Sequence, residues 1–428
     1  MTESLANDQV SFVARLGAAM GAANYPVTLV RQMVQRSSAA YGVPNDFVAF
    51  PNYVQVVGPA TESGTVVKSA YLTSELRFDQ IFPLARLVSD AMAGRVRPAD
   101  GESRLDRILA MQSRYPGWVS VLGYSVQSAG LALVLEPTLV NLAAAAVLGL
   151  MVGLFCAAGR RVAMLQHLVP TISAFAVSVI CMSGAHYLGY DHVSLRALIP
   201  PLAMFLPGAA ITMAVVELTA RDVISGSSRL IAGFMQIAQL AFGILIATQV
   251  LGADGSQLSP DPINKIGAWA PWAGVAVYAV GVMLFLAPPL WFLPWLAVIV
   301  YTAFAAQFIG DLVLGSYASG FCGGLVLTVS ALVISRRRSA PPAITLILPG
   351  FWLLVPGSMG LIGVTELFGA EGDSAFPATV ISMISVSLGL QAGLVIWELA
   401  KHNTSRRSSR PSPPDPTDSA AGATSGAW

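Results

Sequence analysis

Apolar positions along the chain fall into two regimes. Up to about Tyr115 they recur at the spacings of folded, water-exposed elements, and from Trp118 onward they run in stretches of about 20 residues. In the first regime Phe12, Leu16 and Met20 repeat at helical spacing, and Pro26 is suited to open a second helix carrying Val30, Met33 and Val34. Residues 47–57 and 66–72 are β-branched and aromatic, with the turn formers Gly58, Pro59 and Gly64 between them, which predicts a hairpin. Two more helices are predicted over about 78–95 and 103–112. In the second regime ten stretches are long enough to cross about 30 Å of hydrocarbon: 118–135, 138–158, 165–188, 197–218, 230–252, 269–287, 290–310, 312–335, 343–368 and 377–400. The residues beyond them are rich in Ser, Pro and Asp and read as a disordered tail.

Composition agrees with this division. Of 428 residues 55% are hydrophobic and only 11% charged, with a mean hydropathy of +0.66, far from the roughly 25% charge of a soluble domain. Residues 1–115 hold 21 of the 47 charges. The net charge of +1 offers no excess of cations for a phosphate backbone, so nucleic acid is not an expected partner. Cys156, Cys181 and Cys322 lie inside apolar runs without ligand spacing and read as packing residues. No cofactor and no metal are expected, and neither is an enzyme. The four histidines are scattered, and no nucleophile is paired with a base.

The charges also orient the chain. No basic segment followed by a short apolar one opens it, so the expectation is a head that stays in the cytosol. Ten spans then put Arg160, Arg161, Arg221, Arg229, Arg336, Arg337, Arg338 and the tail from Lys401 on the cytosolic side. Eleven of the thirteen Lys and Arg beyond the head fall there, leaving only Arg196 and Lys265. Six tryptophans, Trp118, Trp269, Trp272, Trp291, Trp295 and Trp397, lie near predicted span ends, where an indole sits at the headgroup level.

An internal repeat marks two of the spans. Residues 197–218 and 346–367 match at one constant offset: Pro200 with Pro349, Pro207 with Pro356, Gly208 with Gly357, Glu217 with Glu366 and Leu218 with Leu367. Each half holds five spans, an odd number, so the second half enters the membrane from the opposite side. The expected fold is a polytopic α-helical membrane protein of ten transmembrane helices in a 5+5 inverted repeat, with a small N-terminal cytosolic α+β domain. The expected boundaries are 1–116 for that domain, 117–252 for the first five-helix module, 253–268 for an external linker, 269–401 for the second module and 402–428 for the tail.

Pro207 and Pro356 fall near mid-span. Each removes a backbone donor, and the adjacent glycine lowers the cost of unwinding. Freed carbonyls in hydrocarbon cost several kcal/mol unless they face protein or a polar cavity. Pro207, Gly208, Pro356, Gly357 and Ser358 are therefore the candidate substrate-binding residues, and the symmetric pair Glu217 and Glu366 are the candidates for proton coupling. Glu217 also has Arg221 four residues on as a plain ion-pair partner, whereas Glu366 has no basic neighbour. Asn141, His186, Gln236, Gln239, Gln307 and Gln391 are expected to bond between helices, and Gly149 with Gly153 to allow close helix packing.

The segment ARLGAAMGAANYPVTLVRQMVQRSSAAYGV, Ala14 to Val43, the YPGW of Tyr115 to Trp118 and the two Pro-Gly spans together resemble the threonine/serine exporter family. The resemblance covers nearly the whole chain, in a fused two-module form related to split, two-component succinate exporters. It implies a plasma (inner) membrane exporter of small amino acids, an antiporter driven by the proton motive force, with both termini cytosolic. The implied partners are the lipid bilayer, the amino-acid substrate and protons; a homo-oligomer stays open. A dicarboxylate exporter of the same architecture is the first alternative, with a membrane-embedded enzyme or a passive channel behind it. The dicarboxylate exporter would need basic groups in its cavity, and the spans offer none away from the interface.

Overall fold

The computed structural model describes residues 2–51, 53–61, 64–72, 75–135, 138–187, 193–252, 258–259, 266–337, 339–354, 384–397 and 399. The N-terminal elements are α1 (Thr2–Ala22), α2 (Val27–Tyr41), β1 (Asp46–Phe50), β2 (Tyr53–Thr61), β3 (Gly64–Tyr71), α3 (Phe78–Met92) and α4 (Pro98–Leu109). The strands form an antiparallel sheet in the order β1-β2-β3, with Phe50 opposite Tyr53 and Tyr53 opposite Tyr71. The expected hairpin is thus a three-stranded meander. Residues 47–57 do not form one strand, because the chain turns at Pro51, whose nitrogen cannot donate to a ladder. Helix α4 starts at Pro98, five residues before the expected Ser103, with proline in the first turn where its missing N–H costs nothing.

Helix α1 is the hub of this layer. Val10, Phe12, Val13, Leu16 and Met20 are all buried, which is why an apolar stripe runs through its second half. Gly17 lets it approach its neighbours: a Cβ there would stand 2.9 Å from Val34 Cγ2 and 3.1 Å from Val54 Cγ1. At Gly101 a Cβ would run into the Phe12 ring.

The remaining chain is almost wholly helical: α5 (Gly117–Leu135), α6 (Leu139–Gly159), the single turn α7 (Ala163–Gln166), α8 (Val169–Tyr187), α9 (Leu195–Leu202), α10 (Gly208–Thr219), α11 (Val223–Leu251), α12 (Ala270–Leu286), α13 (Leu293–Leu314), α14 (Ser316–Ser335), α15 (Ala343–Leu354) and α16 (Ile384–Trp397). Two residues each of β4 (Val193–Ser194) and β5 (Leu258–Ser259) pair in parallel. Each expected apolar stretch contains helix. By length and apolarity, however, five helices among the described residues can cross a membrane, or six if the bent pair α9–α10 counts as one span. Segments Val169–Gly184, Ala270–Leu286, Ala343–Leu354 and Ile384–Trp397 are apolar but shorter. Large apolar side chains stay exposed along these helices, Val147, Leu154, Ile231, Phe242 and Leu312 among them, as a lipid-facing surface requires.

Helices α5 and α12 cross in contact at their glycines. A Cβ on Gly123 would strike the backbone of Leu284 and Phe285, one on Gly281 the backbone of Gln127, and one on Gly130 that of Tyr278. Contacts that descend on one helix as they ascend on the other make the two antiparallel. Gly149 and Gly153 seat α6 on α5 at Ser128 and Tyr124, in keeping with the packing role expected of them.

Candidate functional site

The span made of α9 and α10 is bent by 52°. Its sequence explains the break. Pro200 and Pro201 close α9, a 3-10 turn covers Ala203–Phe205, and Leu206 is extended at φ −70°, ψ 123° because it precedes Pro207. Helix α10 then restarts at Gly208, and Pro207 and Gly208 are both buried. Its N-terminus receives no side-chain cap, and the first N–H bonded inside the helix is that of Ile211, to Pro207. The N–H groups of the first turn, beginning with that of the buried Gly208, therefore point into the break with the positive end of a helix dipole behind them.

The carbonyls on the other side of the break are taken by side chains from neighbouring helices. The fully buried Tyr124 hydroxyl donates to Pro201 O at 2.9 Å, and Gln236 Nε2 on α11 donates to Phe205 O at 2.8 Å. Gln127 on α5 places its Nε2 3.0 Å from Met204 Sδ. Gly233 on α11 lies against Ile211, so α11 closes over the start of α10.

The second copy of the motif is described up to Leu354. There the buried Tyr278 hydroxyl donates to Pro349 O at 2.9 Å, and Gln307 Nε2 makes a long 3.5 Å contact with Leu354 O, the carbonyl equivalent to Phe205 O. Pro356, Gly357, Ser358 and Glu366 lie outside the described residues. Helix α16 nevertheless reaches the first copy: Ser387 Oγ is 3.3 Å from Thr212 Oγ1 and Gln391 Nε2 is 3.2 Å from Thr219 Oγ1, both partners on α10. Gln236, Gln307 and Gln391 thus bond between helices, as expected of them.

Glu217 is placed away from the break, at the junction with the N-terminal layer. It is fully buried and accepts the N–H of Val27, the first residue of α2, at 3.0 Å. Arg229 Nε lies 3.2 Å from its Oε2 without aiming its hydrogen at it, so the attraction is chiefly one of charge. Arg229 Nη2 also reaches Tyr25 O at 3.5 Å, and Arg31 pairs with Asp222 beside them. The i+4 partner suggested by spacing, Arg221, is not used. Helix α10 ends at Thr219, and Arg221 turns away at φ 65°, while α11 folds back and delivers Arg229 instead. A second contact joins the N-terminal layer to the other half: Phe82 meets Phe292 at 5.3 Å and Trp291 at 5.6 Å between ring centroids.

The reading from residues alone passed over Tyr124, Gln127 and Tyr278. A signal for the tyrosines is present: GWVSVLGYSV from Gly117 and PWAGVAVYAV from Pro271 share Trp, Val, Tyr and Val at matching places. Gln127 has no counterpart, since Gly281 takes its position. Among the described residues no cluster of His, Cys, Asp and Glu could hold a metal ion.

The family whose model matches is described as "Putative threonine/serine exporter", ThrE, and the match runs over residues 11–251, from α1 to the end of α11. The chain belongs to this family. The break, its Tyr124 cap and the Glu217 junction all lie within the matched segment, so the ThrE family supplies the frame for a transporter and a multi-pass membrane protein. Relatives named pheromone-regulated membrane protein 10 are similar to the chain. That of Candida glabrata is 22% identical over 90% of this chain and 52% of its own length, and one from Saccharomyces cerevisiae is 25% identical over 56% and 32%. The chain spans about half the length of these relatives or less. No solved structure matches it.

Proposed function

We propose that the chain is a secondary-active exporter of small amino acids, threonine and serine, that couples substrate exit to proton influx by alternating access. It is not an enzyme in this reading. It works in the plasma (inner) membrane as a ten-helix 5+5 inverted repeat, with the N-terminal domain and both termini in the cytosol. The observation that carries the proposal is the buried, uncapped start of α10 at Pro207 and Gly208, halfway along a bent apolar span. Discontinuous helices with a free N-terminus at mid-depth are how secondary transporters hold a substrate carboxylate.

Three further observations favour the inverted arrangement. The first helices of the two halves, α5 and α12, are antiparallel. Helix α10 ends against the N-terminal layer at Glu217, and α15 of the second half packs beside α3 of the same layer. Arg337 over Trp295 and Arg336 over Trp397 bring the ends of α13, α14 and α16 to one level, and residues Trp291 and Phe292 just before α13 touch Phe82 of the same layer. That level carries the basic loops, as the cytosolic side should.

A zwitterion gains little from the membrane potential by itself. An inward proton supplies about 2.3 kcal/mol per 100 mV, enough to sustain an opposing gradient of tens-fold. The contacts of Glu217 with Arg229 and Val27 support reading it as an anchor, so the proposal gives the proton to Glu366 first and keeps Glu217 as the second candidate. Ser358, Pro356 and Gly357 complete the substrate site in this reading. Efflux of radiolabelled threonine from proteoliposomes under an imposed inward proton gradient is the test. Acceleration by the gradient in wild type and its loss in Glu366→Gln are expected. Efflux indifferent to the gradient removes proton coupling, and absence of threonine counterflow removes the exporter reading.

A further inference from the structure

We infer that Gln127 is the acceptor for the substrate's ammonium group, a binding residue that the Pro-Gly motif does not include. The inference rests on the exporter reading and names a group for the half of the zwitterion that a helix N-terminus cannot hold. Gln127 is 3% exposed and lies at the crossing of α5 and α12, where Gly281 packs on its own backbone. Its amide is poorly satisfied. Among the described residues Nε2 meets only a thioether, the Met204 sulfur at 3.0 Å, and a thioether is a weak acceptor. Oε1 is buried and has no hydrogen-bond partner among the described residues. A buried amide oxygen without a donor is costly, and such atoms are rare unless something outside the protein fills them.

Position gives the orphan atom its meaning. Met204 belongs to the 3-10 turn that leads into the break, so the Gln127 amide lies against the segment immediately before α10. The two other polar side chains on this segment, Tyr124 and Gln236, are committed to Pro201 O and Phe205 O. Among the described residues Gln127 Oε1 is left as a free acceptor beside the turn that leads into the break, and the first N–H groups of α10 are left without a side-chain cap. A carboxylate on those N–H groups and an ammonium on Oε1 match an α-amino acid, whose two charged groups are joined through one carbon. A dicarboxylate has no use for an acceptor there. In the second half Gly281 stands in the corresponding place.

The full-length protein in proteoliposomes provides the test, with counterflow of labelled L-threonine inhibited by unlabelled L-threonine or by 3-hydroxybutyrate, which keeps the hydroxyl and carboxylate but lacks the amine. Gln127→Leu is expected to raise the half-maximal concentration for threonine about tenfold and to leave that for 3-hydroxybutyrate within about twofold, the loss of one hydrogen bond to a charged group. Met204→Leu removes the amide's other contact and should change neither. If Gln127→Leu does not fold, Gln127→Glu decides, because a carboxylate there shifts preference toward threonine and away from the anionic analogue. Equal weakening of both compounds by Gln127→Leu, or an unchanged ratio in Gln127→Glu, overturns the inference. Failure of the wild-type protein to exchange threonine at all would instead strike the exporter reading.

Discussion

Tyr124 donates its hydroxyl hydrogen to the carbonyl oxygen of Pro201 at 2.9 Å, with both residues buried. Pro201 lies in the last turn of α9, where carbonyls have no partner within the helix, and its oxygen is satisfied from α5. In the second half Tyr278 makes the corresponding bond at 2.9 Å to Pro349 O, one position earlier in the repeat, since Pro349 matches Pro200. Replacing either tyrosine by phenylalanine keeps the packing and removes only the donor. Each change should lower stability by about 1–2 kcal/mol, at the upper end for hydrogen bonds between membrane helices. Thermal denaturation in detergent measures it, and a clear loss for one tyrosine with none for the other would break the equivalence of the two halves.

At the Glu217 junction the prediction separates anchoring from proton traffic. Glu217→Ala leaves the Arg229 side chain, only 12% exposed, without its counter-charge and the Val27 N–H without an acceptor. A loss of about 3–5 kcal/mol is expected for a buried pair broken on one side. Glu217→Gln keeps an oxygen for Val27 and should cost less, and Glu217→Gln with Arg229→Gln should recover part of the single-variant loss. Trypsin cleavage near the exposed Arg114, at the start of the membrane part, reports on docking and should quicken in the same order. Retained response to a proton gradient in Glu217→Gln fits an anchor; an abolished response would return the proton to Glu217.

What could be seen in the residues beforehand follows from where each force acts. Burial in lipid needs long apolar runs, so helix turned up within every expected stretch, and the Pro207 break was legible because proline acts on its own backbone. The third strand was hidden because Phe47 to Val57 is uniformly β-prone, and only the position of Pro51 divides it. Arg229 was missed as the partner of Glu217 because a spacing rule assumes a continuous helix, and the chain reverses between Thr219 and Val223. Gln127 was invisible for another reason: a single amide in a span of Ser, Gly and Ala gains significance only once Met204 is placed beside it.

Glycines make the sharpest contrast within one residue type. At Gly130 and Gly281 even a methyl group would overlap backbone of the facing helix, which cannot rotate away as a side chain would. Gly130→Ala and Gly281→Ala should therefore force α5 and α12 apart and lower stability by about 1–3 kcal/mol, the usual range for overpacking. Gly184 on α8 has nothing within 4 Å of a built Cβ, and there alanine should be neutral or stabilising by about 0.5–1 kcal/mol through helix propensity. Monodisperse yield and thermal midpoint of the three variants check this, and an equal effect at all three would mean that the α5–α12 contact is not the constraint.

The inverted arrangement makes a prediction about sidedness. Arg337, beyond the end of α14, lies over the Trp295 ring near the start of α13, 5.8 Å from its centroid. Asp311 is exposed near the far end of the same helix, sixteen residues and about 24 Å along the axis at 1.5 Å per residue. Helix α13 is apolar between them, so the two positions belong on opposite faces of the bilayer. With Cys156, Cys181 and Cys322 replaced by serine or alanine, Asp311→Cys should react with an impermeant maleimide added outside intact cells. Arg337→Cys should react only after permeabilisation. Reaction of both from one side would place α13 along the membrane surface rather than across it, and the two halves could then not alternate around a shared break.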